Sequence, residues 1–263
     1  MEEMTSMSVA SIGVDPDRPS LLTLYLDGLP SSALDLTDPE HLEFEYMQHM
    51  RIMVEAKRPR GTRIKALHIG GAGCALPRAL DSSHPNSRQL AIEVDEILAT
   101  KVREWFPLPR SPLLRIRAAE GRQTLQQQAG RNWDIIVRDA FAGGTVPYQL
   151  MTYEAAVDAR NALAPDGAYL LNLSRHDKPE IATILAVFPH VVVITDPAIW
   201  AGRRYGNITL GASMTPWQDM HREVFRLPLP ARIYSDLTPS AAPFHDLPED
   251  FTPTHRSIVA GPE

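Results

Sequence analysis

The sequence predicts an α/β protein built on a mostly parallel sheet, and three observations predict it. Between residues 62 and about 214, short β-rich apolar runs alternate with helical stretches. A glycine turn, Gly70-Gly71-Ala72-Gly73, follows the first of these runs and leads into a helix. The chain has 263 residues, 44% of them hydrophobic, enough for one large core or a core with a smaller appendage.

Residues 1–19 are polar, contain Asp15-Pro16-Asp17 and Pro19, and read as a mobile leader. A small β-hairpin and helix unit is expected over 20–60. Leu21–Leu26 has strand composition and stops at the turn signal Asp27-Gly28, and Ser31–Leu36 returns as its partner. A helical pattern over Pro39–Glu55 places Leu42, Tyr46, His49 or Met50, and Met53 on one face.

The core unit is expected over 61–225. Its strand runs are Ile64–Ile69, Gln89–Val94, Leu113–Ala118, Asp134–Val137, Ala168–Leu173, Val191–Ile194 and Ile208–Leu210. Helices fall near Leu76–Leu80, Glu96–Trp105, Arg122–Ala129, Thr152–Leu163 and Pro179–Phe188. Alternation of this kind gives βαβ units, because parallel strands need crossover connections. Only a short turn-rich gap with Gly202 and Gly206 separates the last two runs, which suggests an antiparallel strand at the end of the sheet. Seven strands with this ending resemble a Rossmann-like class I methyltransferase-type fold more than a dinucleotide dehydrogenase. From 226 to 263 the chain is Pro-rich and is expected to be extended or irregular, with Phe244 and Phe251 as anchors.

Composition excludes several function classes. There are 26 basic and 32 acidic residues, a net charge of −6, which disfavours a basic nucleic-acid-binding face. The single cysteine, Cys74, rules out an internal disulfide framework and any multi-cysteine zinc site. No apolar run reaches the ~18 residues of a membrane helix. The start, Met1-Glu2-Glu3, has no signal-peptide character, so a cytoplasmic protein without nucleic-acid or membrane partners is expected. The nine histidines are scattered without metal-ligand spacing, so no metal site is expected. Ser174-Arg175-His176-Asp177 contains triad residue types without a nucleophile elbow and reads as a strand-end loop.

Ligands of open parallel sheets sit outside the carboxyl ends of the strands, near the switch in strand order. Successive strand ends carry Gly70, Gly71 and Gly73, then Glu93, then Glu120-Gly121, then Asp139. Glycines admit close backbone approach, and an acid after the second strand can hold both ribose hydroxyls. A dinucleotide motif starting at Gly71 would need glycine at 76, where Leu76 stands. The pattern therefore suits an S-adenosyl nucleoside, which has no pyrophosphate.

These residues resemble the spermidine synthase (polyamine aminopropyltransferase) family, and its spermidine synthase-like subgroup in particular. The resemblance rests on Leu26-Asp27-Gly28, Glu43-Phe44-Glu45-Tyr46, Ile69–Gly73, Ile92-Glu93-Val94-Asp95, Glu120-Gly121-Arg122, Asp134–Asp139, Val146–Thr152 and Leu163–Gly167, in that order. It implies transfer of an aminopropyl group from decarboxylated S-adenosylmethionine to an amine such as putrescine. In this reading Asp139 and Tyr46 are catalytic, and Gly70, Gly71, Gly73, Glu93, Glu120 and Gly121 bind the nucleoside. It further implies a small-molecule donor and an amine acceptor as partners, no prosthetic group, and a homodimer.

The sequence departs from the family at several acids and at one hairpin glutamine. The glycine-motif Asp is Gly73, the second Asp of the Asp-x-x-Asp pair is Ala142, the hairpin Gln is Ser31, and the acid after Tyr46 is Gln48. Fewer carboxylates oppose a diamine's two positive charges. Two alternatives follow: methyl transfer from S-adenosylmethionine, and a catalytically silent nucleoside-binding protein.

Overall fold

The computed structural model describes residues 2–71 and 73–247. Four strands open the chain: β1 (Glu2–Met4), β2 (Val9–Val14), β3 (Leu21–Leu26) and β4 (Leu29–Asp35) form an antiparallel sheet in that order. The expected mobile leader is thus two strands. Ala10 of β2 is buried, as is Leu24 of β3. Asp15 ties the connection down by accepting from the Asp17 and Arg18 backbone N–H groups. The polar composition concealed the alternation of Ala10 and Ile12 that builds β2. Asp27 and Gly28 both take positive φ, 49° and 76°, the mirror-image turn that suits a two-residue hairpin.

Helix α1 spans Glu45–Lys57, starting later than the sequence suggests, because Asp35 organises residues 37–38 into a turn by accepting from Thr37 and Asp38 N–H. Its buried face includes Tyr46, His49, Met50 and Met53, the stripe read from the sequence.

The main sheet then alternates with helices: β5 (Lys65–Ile69), α2 (Ala75–Ser83), β6 (Arg88–Glu93), α3 (Glu96–Trp105), β7 (Leu114–Ala118), α4 (Gly121–Gln126), β8 (Trp133–Arg138), α5 (Tyr153–Ala162), β9 (Leu163–Leu173), α6 (Lys178–Leu185), β10 (His190–Thr195), α7 (Pro197–Trp200), β11 (Ile208–Ser213), α8 (His221–Phe225) and β12 (Arg232–Tyr234). Strand order is β12-β10-β11-β9-β8-β5-β6-β7. Strands β5 to β9 pair in parallel, and the order reverses between β5 and β8, which is where a ligand crevice belongs.

Three features differ from expectation. The antiparallel strand β11 is not at the sheet edge: it inserts between β9 and β10 and pairs with both. Among the described residues the sheet has eight strands, because residues 232–234 of the Pro-rich tail add β12 against β10. Strand β9 begins at Leu163, ahead of the expected start at Ala168, with a register irregularity opposite Trp133 and Ile135. Gly167 permits this passage, since a Cβ there would lie 2.8 Å from the Trp133 carbonyl oxygen.

Alternating strand residues feed two cores. Ala66, Ala91, Val137 and Leu170 pack with α1, α2 and the N-terminal sheet. Leu67, Ile92, Ile136 and Leu171 pack with α5 and α6. Phe244 docks as expected of an anchor, donating its N–H to Thr183 and accepting from Tyr153 N–H. Phe251 lies outside the described residues.

Candidate active site

Three strand ends build the rim. Gly70 ends β5 with φ +92°, and its N–H donates to the Ile92 carbonyl at 3.0 Å. A Cβ at Gly70 would sit 2.1 Å from the Asp139 carbonyl oxygen, so the β5 end is pinched against β8. Glu93 ends β6 and accepts from Gly71 N–H at 3.2 Å and Asp95 N–H at 3.1 Å. Ala119, just past β7, donates its N–H to the Glu93 carbonyl at 3.0 Å. With β5 between their strands, Glu93 and Asp139 stand about two strand spacings apart, roughly 10 Å, across the glycine turn.

Asp139 follows β8. One carboxylate oxygen accepts from the Tyr46 hydroxyl at 2.9 Å and the other from the Asn172 amide at 2.9 Å. Tyr46 comes from the first turn of α1 and lies parallel to Phe44, ring centroids 6.0 Å apart. Burial raises the Asp139 carboxyl above its ordinary range, against the lowering effect of Asn172, Tyr46 and Arg138. Burial, then the charge of Asp139, pushes the Tyr46 phenol well up, so it stays a neutral donor. The arrangement is a fixed carboxylate with strengthened basicity, the property a general base requires.

The other expected residues have mixed placements. A Cβ at Gly73 would lie 2.6 Å from Ser32 Cβ, so this glycine lets α2 approach β4. A Cβ at Gly121 would lie 2.6 Å from Ile69 Cγ2, so it lets α4 close over the end of β5. Glu120 caps α4, accepting from Arg122 N–H at 2.9 Å and Gln123 N–H at 2.6 Å. Ser31 is half-buried and donates to the Leu29 carbonyl, Gln48 donates to the Leu42 carbonyl, and Ala142 lies in an exposed tight turn with Thr145.

Sequence reading missed Asn172 and the support beneath Asp139. Asn172 is 2% exposed and lies on β9 beside Leu171, whose neighbour on β8 is Arg138. Arg138, fully buried, pairs with Glu180 of α6 at 2.6 Å and donates to the Asn172 carbonyl at 3.1 Å. The strand-end rule applied to β9 is the signal that could have flagged Asn172.

The residues set aside stay outside the chemistry. His176 stacks on Trp200 with ring centroids 4.2 Å apart, and Asp177 caps α6. Cys74 is buried, and burial pushes its thiol up to about 12, far from a reactive thiolate. Among the described residues no group of His, Cys, Asp or Glu could hold a metal, and no helix is long and apolar enough to cross a membrane. A basic groove of about 1520 Å³, lined by Lys65, Arg88, Arg115 and Arg131, lies at the opposite ends of β5–β7 from this rim.

No protein-family model matches the chain. The crystal structure of a probable spermidine synthase from Corynebacterium glutamicum is 30% identical with a TM-score of 0.89, covering 97% of this chain and 99% of that one. Human methyltransferase-like protein 13, solved with SAH, shares the fold at 22% identity and a TM-score of 0.54, over 64% of this chain and 82% of that one. Two curated relatives are polyamine aminopropyltransferases. That of Chromobacterium violaceum is 26% identical over 206 residues, 74% of this chain and 75% of its own. That of Vibrio vulnificus is 27% identical over 135 residues, 49% of this chain and 44% of its own.

Proposed function

Since the chain belongs to the spermidine synthase (polyamine aminopropyltransferase) family, we propose that it moves an aminopropyl group from decarboxylated S-adenosylmethionine to an amine of the putrescine type. The observation that carries this reading is the Asp139 carboxylate held between Tyr46 and Asn172 on the same rim as Glu93 and the glycine turn.

The donor's sulfonium makes the leaving group intrinsically good. The acceptor nitrogen forms a bond to the aminopropyl carbon, and the carbon–sulfur bond breaks with its electron pair going to sulfur. Neutral methylthioadenosine leaves. Asp139 takes the acceptor's proton, and Tyr46 keeps the carboxylate aimed. Glu93 holds the ribose hydroxyls, and the acids of the rim favour a positive sulfonium. Glu120 serves the adenine side mainly by ordering the first turn of α4.

A second reading, methyl transfer from S-adenosylmethionine, is favoured by Gly73. That position offers no carboxylate for an aminopropyl amine, and the contact with Ser32 leaves no room for one. Incubating the protein with each donor plus putrescine, with products followed by mass spectrometry, decides between them. Methylthioadenosine with spermidine is the expected result. S-adenosylhomocysteine would establish the methyl-transfer reading, and the absence of both products the silent binding protein.

A further inference from the structure

We propose that the N-terminal hairpin belongs to the donor site, with Thr5 as a positioning residue that acts through Asp95 on Glu93. The inference rests on the reading of Glu93 as the ribose-binding acid.

The turn between β1 and β2 converges on one carboxylate. Thr5 Oγ1 donates to Asp95 Oδ2 at 2.5 Å, Ser6 N–H to Oδ1 at 3.0 Å, and Met7 N–H to Oδ2 at 2.9 Å. Leu98 N–H of α3 adds a fourth bond to Oδ1 at 2.9 Å. Ser6 Oγ also accepts from Ile97 N–H at 3.2 Å, so the turn grips residues 95–97 from both sides. Asp95 is 3% exposed. Burial alone would raise its carboxyl, but the bonds from Thr5, Leu98, Ser6 and Met7 outweigh that and hold it below the usual range.

Asp95 is in turn a partner of the site. Its backbone N–H donates to Glu93 Oε1 at 3.1 Å, while Gly71 N–H holds Oε2 at 3.2 Å. A carboxylate that must accept two adjacent ribose hydroxyls works only in one rotamer, and these two N–H groups set it. The Asp95 donor is only as well placed as the 93–97 segment, which the hairpin clamps. Thr5 also closes the turn itself, its Oγ1 accepting from Ser8 N–H at 3.1 Å and lying 2.8 Å from the Ser8 carbonyl, while β1 and β2 pair through Glu2–Met4 and Val9–Ser11. Small misplacements of a binding group are costly in affinity. Replacing the Thr5 hydroxyl by a methyl keeps the side-chain shape but leaves Asp95 and the Ser8 N–H short of a partner, so Tm is read beside affinity.

The test measures methylthioadenosine affinity by calorimetry, donor KM and kcat by steady-state kinetics, and Tm, for Thr5→Val, Thr5→Ser, Asp95→Asn and Glu93→Gln. Thr5→Val should weaken methylthioadenosine about five- to tenfold and raise donor KM with kcat within about twofold. Thr5→Ser, which keeps the hydroxyl, should bind within about twofold of the native chain. Asp95→Asn gives the same answer by another route, because an amide nitrogen in place of Oδ2 removes the acceptor of Thr5 and Met7 while Oδ1 still accepts from Ser6 and Leu98 N–H. Native affinity in both Thr5→Val and Asp95→Asn, alongside weakened binding in Glu93→Gln, overturns the role of the hairpin. Native affinity in Glu93→Gln overturns the ribose assignment instead.

Discussion

Tyr46 and Asp139 lie 93 positions apart in the chain, yet the tyrosine hydroxyl donates to the aspartate carboxylate at 2.9 Å. One comes from the first turn of α1 and the other from the carboxyl end of β8, so the bond couples the helix that precedes the main sheet to the switch in its strand order. The second oxygen of Asp139 is taken by Asn172, which leaves the carboxylate little rotational freedom. Its burial raises its basicity, and the buried Arg138–Glu180 pair below sets the local charge.

Asp139→Asn removes the base while preserving shape and one hydrogen-bond acceptor. Turnover should fall at least about 100-fold, the range typical of a lost general base. Methylthioadenosine affinity should stay within a few-fold. Unchanged turnover would take Asp139 out of the reaction.

Tyr46→Phe deletes a hydrogen bond that favours the charged carboxylate. The Asp139 carboxyl, already raised by burial, should rise further. The acidic limb of kcat/KM therefore moves to higher pH, with a loss at neutral pH of about tenfold. A limb that stays put or moves to lower pH contradicts the coupling.

Gly70→Ala forces a side chain into a φ of +92° and within 2.1 Å of the Asp139 carbonyl oxygen. A loss of about 2–4 kcal/mol is expected in chemical denaturation. At Gly71 a Cβ meets Glu93 Cβ at an ordinary 3.5 Å, so Gly71→Ala should cost less than about 1 kcal/mol. Equal losses at the two positions would mean that the pinch at Gly70 does not govern the turn.

His49 and His68 are buried, and burial lowers both to about 4 from 6.5. Each is neutral in the fold and takes up a proton more readily when unfolded. Their contribution is fully present above about pH 6.5 and is lost as pH falls toward 4, by up to about 3 kcal/mol each. Denaturation at pH 7 and pH 5 should show this slope, and His68→Gln should flatten it. A slope unchanged in that variant would assign the pH dependence to other groups.

The alternation of apolar runs with helices made the parallel sheet legible, because periodicity follows from which faces are buried. The Glu96–Trp105 helix starts where Asp95 caps it, and a cap is a local signal. The strand-end positions of Gly70, Glu93 and Asp139 were legible for the same reason, since each follows directly from where a strand stops. Strands β1 and β2 were not, because polar, Pro-bearing segments form strands when a partner edge and a carboxylate such as Asp95 receive them.

By itself the sequence determined the strand-and-helix order, the hairpin at Asp27-Gly28 and the run of acids that follows the strands. All of these depend on contacts between near neighbours and on side-chain periodicity. Only the tertiary structure decided that Asn172 meets Asp139, that Arg138 and Glu180 pair beneath it, and that Gly73 and Gly121 serve packing. Those outcomes depend on strand order and on the distance between surfaces brought together from far along the chain, which no local pattern encodes.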